Sequence, residues 1–361
     1  MPMSSFQCNE TDECHDDDIS STSRDCAIGV EGRHSPKVSI VIPVYNTPAN
    51  LLCECINSAV NQCYQSKEVI VVDDGSDAVT AEYLDSFAED GIAVLHKNNG
   101  GLSDARNYGV AHSTGDYVYF LDSDDSLASP NAIQLLVAIA CASKSEIVVG
   151  RSHFISSIQG WMGCPAPGHD WLVSCLQSQS VSFIAPDQLF AFSLLRRLSH
   201  LFVEGMVHED EEFTPRAYLE AKRVVGSTSC MTYTRNIRAG SLTQSKSMKD
   251  IYKRCEGKML VAKNLLSSQC YSSSFSLRSL IDARAYGFMA MAFRSWAEDL
   301  YLHPEYSSRL MKLAESLDYS RVKIVRHSAN SARNYIVISF VRAFGIARLI
   351  DLLNVIFKKK I

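Results

Sequence analysis

The chain has 361 residues, 46% of them apolar and 21% charged, a balance that excludes wholesale disorder, a collagen-like repeat and a small disulfide scaffold. Its length suggests two or three folding units on a scale of about 100–200 residues each. A formal net charge of −5 argues against a surface built for nucleic acid.

Charge is unevenly distributed. Residues 1–35 carry Glu10, Asp12, Glu13, Asp16, Asp17, Asp18, Asp25 and Glu31 against Arg24 and Arg33, whereas residues 321–361 carry nine bases against Asp351 alone. Opposed ends of this kind predict a disordered acidic tail over 1–35 and a basic surface that meets something anionic. The twelve cysteines include no C-x-x-C pair. With no apolar signal segment read at the start, they are expected as free buried thiols in a reducing cytosol, in preference to a zinc site.

Order is expected to begin at Lys37. The β-branched run Val38–Ile42 reads as a buried strand stopped by Pro43. A helical pattern follows from Pro48 to Gln62, then a strand over Glu68–Val72 ending in Asp73-Asp74-Gly75. A second helix is expected over Val79–Glu89 and a short strand over Ile92–Leu95. After a glycine turn come a helix over Ser103–His112 and a strand over Tyr117–Leu121, which ends in Asp122-Ser123-Asp124-Asp125. A helix over Ile133–Cys141 and a strand over Ile147–Val149 close the series. This alternation predicts an α/β fold, a mostly parallel sheet flanked by helices. Residues 151–180 read as loop-rich, 186–198 and 209–220 as helices, and everything from 248 as helical, with a Ser-rich break near 272–276.

Ligands of such sheets bind beyond the carboxyl ends of the strands, where three polar clusters fall: Pro43-Val44-Tyr45-Asn46, Asp73-Asp74-Gly75-Ser76 and Asp122-Ser123-Asp124-Asp125. A D-x-D at a strand end can hold a hard divalent cation against phosphate oxygens, although alone it also describes a solvated turn. In Asn98-Asn99-Gly100-Gly101-Leu102-Ser103-Asp104-Ala105-Arg106, two glycines permit close approach to a ligand at a helix start, and Arg106, one turn in, can reach a phosphate or a carboxylate of the same cluster. Glu209-Asp210-Glu211-Glu212 is either an acidic helix start or a set of carboxylates crowded enough to raise one pKa. His208 and His327 read as structural residues. Trp161 and Trp171 read either as core or as a stacking wall.

These segments, in this order and spacing over residues 37–150, resemble family 2 glycosyltransferases of the capsule, exopolysaccharide and O-antigen type. A partial match continues through Val207–Phe213 to Arg238-Ala239-Gly240-Ser241. The resemblance implies a GT-A fold over 36–245, followed by a helical region over 246–361. It implies inverting transfer of a hexose or N-acetylhexosamine from a UDP-sugar to a lipid-linked or oligosaccharide acceptor, with Mn2+ or Mg2+. Pro43, Tyr45 and Asp74 would line the uracil pocket with Asp73 beside it, Arg106 would lie near the uridine and phosphates, and Asn46 and Gly101 would be further donor-binding residues. Asp122 would face the ribose or sugar, and Asp124, or its neighbour Asp125, would bind the metal. Asp210 would be the general base, and Arg238 would help hold the diphosphate.

An inactive GT-A-like module that binds nucleotide or glycan is the alternative reading, against which the joint presence of Asp122, Asp124 and Asp210 argues. A nucleotidyltransferase would want a basic glycine loop after the first strand, which Pro43-Val44-Tyr45-Asn46 does not offer. From Arg333 onward the chain is apolar and basic, with too many charges for a span. Gly345 is expected to divide it into two short helices. The second would place Arg348, Asp351, Asn354 and Lys358 on one face, which suits an anionic membrane surface or a packed helix. The implied location is cytoplasmic, peripheral on the inner face of the plasma membrane.

Overall fold

The first strand, β1 (Val38–Val44), shows how the two layers of helices arise. Its side chains alternate. Val38, Ile40, Ile42 and Val44 point to one face, where they share a core with Leu52 and Ile56 of α1 (Ala49–Val60) and with Ile133 and Leu136 of α4 (Ala132–Ser143). Val41 points to the other face, toward α3 (Leu102–Ala111). Gly109 makes that contact close: a Cβ there would stand 2.3 Å from Val41 Cγ1.

This computed structural model describes residues 35–88, 92–152, 163–178, 183–228, 231–236, 245–320 and 329–358, with the backbone alone at 272–273, 329–333 and 357–358. The acidic tail before residue 35, Trp161, Arg238 and His327 lie outside the described residues.

Strands β2 (Lys67–Asp73), β3 (Ala93–His96) and β4 (Tyr117–Phe120) join β1 in parallel, with α2 (Ala78–Ala88) crossing between β2 and β3. Pro43 does not stop β1. The strand runs on to Val44, because β4 pairs only as far as Val41 and the chain beyond has turned away, so the missing N–H of Pro43 leaves no ladder bond unmade.

Past β6 (Ile147–Val149) the structure departs from expectation. Helix α5 (Gly168–Gln177) occupies part of the stretch read as loop. The helix expected over 186–198 is instead β7 (Gln188–Ala191) followed by one short turn of helix, α6 (Phe192–Leu195). Strand β7 lies antiparallel between β4 and β6, so the order is β3-β2-β1-β4-β7-β6-β8, with β8 at Val224–Gly226. Helix α7 (Asp210–Glu220) leads into β8. A two-stranded sheet pairs β5 (Ser126–Leu127), next to the D-x-D turn, with β9 (Tyr233–Thr234).

The rest is helical: α8 (Met248–Ser267), α9 (Phe275–Ser295), α10 (Pro304–Glu315), α11 (Ala329–Phe344) and α12 (Ile346–Lys358). Ser247 and Ser274 cap α8 and α9 by accepting from the backbone N–H of Asp250 and Leu277. The Ser-rich break and the division at Gly345 (φ +87°) fall where expected. Helices α8 and α9 continue the core of the sheet, since Ile251, Met259, Ile281 and Phe293 belong to one cluster with Phe120, Phe190 and Phe213.

Helix α12 buries Ile346, Leu349 and Ile350 and exposes Leu352, Val355 and Ile356. Asn354, expected on the exposed polar face, is buried; its amide meets the hydroxyl of Tyr301, which donates to Asp351 at 3.0 Å. Among the described residues no helix is long and apolar enough to cross a membrane. None of the eight described cysteines forms a disulfide, and of the eight Cys55, Cys175 and Cys255 are buried. Cys63, Cys141, Cys164 and Cys270 are exposed, which corrects the expectation of buried thiols.

Candidate active site

At the end of β2 the two aspartates are consumed internally. Asp73 accepts from the backbone N–H of Ser76 at 2.9 Å and pairs with His96 at 2.8 Å. Burial pushes its carboxyl up, yet these partners outweigh burial and hold it below the usual carboxylate range. Asp74 is almost wholly buried and accepts from Lys97 Nζ (2.6 Å) and from the backbone N–H groups of Gly100 (2.8 Å) and Gly101 (2.7 Å). The glycine turn is therefore wrapped around a carboxylate, and Gly101, at φ +90°, opens α3 from a conformation that disfavours a side chain.

The end of β1 leans on the same turn. Asn46, at φ +48°, donates its backbone N–H to Ser76 Oγ and accepts from the N–H of Asp77 through its side chain. Tyr45 beside it is 54% exposed, an aromatic face presented at the strand ends. Pro43 is buried within β1 and presents less surface than a pocket wall would.

The end of β4 is arranged differently. Asp125 turns inward, accepting from Tyr233 Oη at 2.5 Å and from the N–H of Asn236 at 2.8 Å. Burial raises its carboxyl to about 7, against the pull of those two donors. Asp124 stays partly exposed, its carbonyl taken by the Asn236 amide at 3.0 Å. Asp122 is bound by Arg106 Nη2 at 2.7 Å.

Arg106 joins the strand end to α7. Its side chain is 1% exposed, and Nη1 donates to Glu209 at 2.6 Å and to Asp210 at 2.8 Å. Phe202 and Phe120 lie against the guanidinium, 5.2 and 6.0 Å from it to the ring centres. Burial works against its charge, but Asp210, Asp122 and Glu209 more than restore it. Of the two kinds of partner expected of it, a phosphate or a carboxylate of the same cluster, the structure shows carboxylates on both terminal nitrogens, so it is a bridge between them. Asp210 is buried enough to push its carboxyl well above the ordinary range; Arg106 opposes this, and the Glu209 and Asp122 carboxylates add to it.

The sequence does not point to Lys97, Tyr233 or Asn236 as partners, whereas Glu209 is one of the acids expected to crowd Asp210 and does so. Lys97 carries a local signal, a cation at a strand end just before the glycine pair. Tyr233 and Asn236 carry none, lying more than a hundred residues from Asp125. His208, at φ +69°, is kept uncharged by burial and by Lys258 and Arg254, down to about 4, which fits a structural residue. Trp171 is fully buried in the core, so the stacking-wall reading of this residue does not hold.

Asp122 and Asp124 are hard oxygen donors two residues apart at one rim, a donor set that suits Mg2+ or Mn2+ when a diphosphate completes the shell. Among the described residues no group of three or more His, Cys, Asp or Glu is arranged to hold a metal ion.

A mostly parallel sheet, acids at the ends of two strands and a carboxylate-bearing helix start across from them define a glycosyltransferase with the GT-A fold. Residues 39–163 match the model of glycosyl transferase family 2. Glycosyltransferase GlyG of Streptococcus pneumoniae is 30% identical over 233 residues, covering 59% of this chain and 74% of that protein. The chain belongs to glycosyl transferase family 2. The poly(ribitol-phosphate) beta-glucosyltransferase of Bacillus spizizenii is 32% identical over 198 residues, covering 52% of this chain but 30% of that longer protein. Among solved structures, S. aureus TarS 1-349 in complex with UDP-GlcNAc superposes with a TM-score of 0.65, covering 90% of this chain and 92% of that one at 18% identity, a likeness of fold.

Proposed function

We propose that this glycosyltransferase moves a hexose or N-acetylhexosamine from a UDP-sugar to a lipid-linked or oligosaccharide acceptor, with inversion, in the synthesis of a surface polysaccharide. The observation that carries the reading is the single buried guanidinium of Arg106 holding Asp122 on one side and Asp210 on the other. Asp122 lies at the rim where the donor's sugar and phosphates would sit, and Asp210 lies on α7, where an acceptor hydroxyl would approach. The name of the related poly(ribitol-phosphate) beta-glucosyltransferase supports transfer of a hexose to a surface polymer, and that of the TarS complex with UDP-GlcNAc supports a UDP-sugar donor.

Inverting transfer is an in-line displacement at the anomeric carbon, with one base taking the acceptor's proton. Asp210 is suited to this: its raised proton affinity makes it a better acceptor than an ordinary carboxylate, and Arg106 keeps it oriented. Tyr45 offers an exposed ring to the base, while Asn46, Asp73, Asp74 and Gly101 hold the floor of that pocket in shape. Asp124, with Asp122, would hold the divalent cation. When bound, that cation neutralises the charge developing on the departing diphosphate.

The helical region after residue 245 belongs to the same reading. Ile336, Phe344, Leu352, Val355 and Ile356 are exposed beside exposed Arg342 and Arg348, a surface that suits anionic lipid. UDP release from a panel of UDP-sugars, with Mn2+, Mg2+ or chelator and with membrane lipid extract, tests the proposal. Release from one donor that chelator abolishes and Asp210→Asn lowers at least about 100-fold is expected. Protein that binds UDP and releases none from any donor would favour the inactive module.

A further inference from the structure

Four consecutive acids open α7: Glu209, Asp210, Glu211 and Glu212. Three different arginines divide them. Arg106 of α3 takes Glu209 and Asp210, Arg216 of α7 takes Glu212 at 2.8 Å, and Arg284 takes Glu211. The last comes from α9, in the helical region: Arg284 Nε donates to Glu211 Oε2 at 3.0 Å and Nη2 donates to the same oxygen.

Arg284 does more than neutralise Glu211. Its guanidinium lies 4.4 Å from the ring centre of Phe183 and 5.6 Å from that of Phe288. Phe183 begins a short segment whose backbone runs along the acids: the N–H of Phe183 donates to Glu211 and the N–H of Ala185 donates to Asp210. One side chain of α9 therefore grips both the carboxylate next to Asp210 and the segment that hydrogen-bonds Asp210. Successive residues of a helix point about 100° apart, so Arg106 pulls on the helix start from the sheet side and Arg284 from the helical side. Two such pulls fix the rotation of α7 about its axis. Gly257 of α8 sets the approach, since a Cβ there would come within 2.4 Å of the carbonyl oxygen of Val207.

We propose that Arg284 is a positioning residue for transfer: through Glu211 and the Phe183–Ala185 segment it sets the orientation of the Asp210 carboxylate, so the helical region is part of the catalytic apparatus. The proposal rests on Asp210 being the base. Misplacement of a reacting group by about 1 Å costs up to about 100-fold in rate, so the effect belongs in kcat.

The test uses the full chain, with UDP release from UDP-glucose and UDP-N-acetylglucosamine as the rate and UDP binding as a separate readout. Arg284→Met is expected to lower kcat about 10- to 100-fold while donor KM and UDP affinity stay within about twofold. Arg284→Lys, which keeps the charge but loses the fork, should recover part of the rate. Glu211→Gln, a milder change, should lower kcat in the same direction and keeps the test open if Arg284→Met fails to fold. Folded variants with wild-type kcat, or with kcat and donor KM changed together, overturn the proposal. Asp210→Asn is measured in parallel. If it retains activity, the base assignment falls and the proposal with it; if it is inactive while the Arg284 variants are not, only the positioning role falls.

Discussion

The ends of β2 and β4 carry nearly the same sequence signal, Asp-Asp in one and Asp-x-Asp-Asp in the other, and the fold uses them in opposite ways. At β2 both carboxylates are turned into structure: Asp73 holds Ser76 and His96, and Asp74 holds Lys97 and the glycine turn. At β4 Asp125 is used up in this way, by Tyr233 and Asn236. Asp124 remains at the rim, and Asp122 is tied to Arg106 and through it to Asp210. An acid at a strand end is thus not yet a site. What matters is which partners the fold has given it and whether it keeps a face at the rim.

The sharpest way to break the comparison is at the partly exposed member, Asp124. Asp124→Asn should lower metal-dependent UDP release by about 10²- to 10³-fold, the scale of losing one electrostatic contact to a developing anion. Its thermal midpoint should stay within a few degrees of wild type, as for a rim substitution. Activity within tenfold of wild type would move the metal role to another residue.

Asp74→Ala should show the reverse balance, with stability suffering first. It strips acceptors from two backbone N–H groups and from Lys97, which keeps Asp104 at 2.5 Å. Leaving buried donors unpaired costs about 1–3 kcal/mol. Because Gly101 opens the helix that carries Arg106, and Arg106 holds Asp122 at the proposed donor rim, UDP affinity should weaken as well. Denaturant unfolding and UDP titration on the same preparation measure both, and a loss of affinity with unchanged stability would mean that Asp74 contacts the nucleotide directly.

The strand ends themselves were legible before any coordinates. Val38–Ile42, Glu68–Val72 and Tyr117–Leu121 are short β-branched or aromatic runs bounded by turn residues, and the acids follow them directly. The allocation of those acids was not legible, because the partners are remote in sequence: Arg106 is 104 residues from Asp210, and Tyr233 is 108 residues from Asp125. The same reason explains β7. Gln188-Leu189-Phe190-Ala191 has no alternation, since all four residues are buried, and it is followed by Phe192–Leu195, which does turn helical. Only its pairing with β4 and β6, from distant parts of the chain, makes it a strand. Helix α5 was hidden by Pro167 and Gly168 at its start. Gly168 is there for closeness, as a Cβ would stand 1.8 Å from the carbonyl oxygen of Tyr218.

The smallest expected effect separates Asp125 from Asp124 by pH. The Asp125 carboxyl is raised by burial to about 7 in the folded chain, against about 3.9 when unfolded. Below about 3.9 it is protonated in both states and imposes no penalty. Between that pH and about 7 the unfolded chain gives up the proton while the folded one keeps it, so stability falls as pH rises. Above about 7 the loss is complete. Asp125→Asn retains an oxygen for the Asn236 N–H and offers its amide N–H to Tyr233, and it cannot ionise. Relative to wild type it should gain on the order of 1–3 kcal/mol between pH 4 and pH 8, most of it before pH 7. Asp187, which burial also raises to about 7, contributes equally to both proteins and cancels in the difference. Denaturant unfolding of the pair at several pH values reads that difference directly. Parallel curves would mean that Asp125 ionises as freely as an exposed acid, and Asp125 would then compete with Asp124 for the metal.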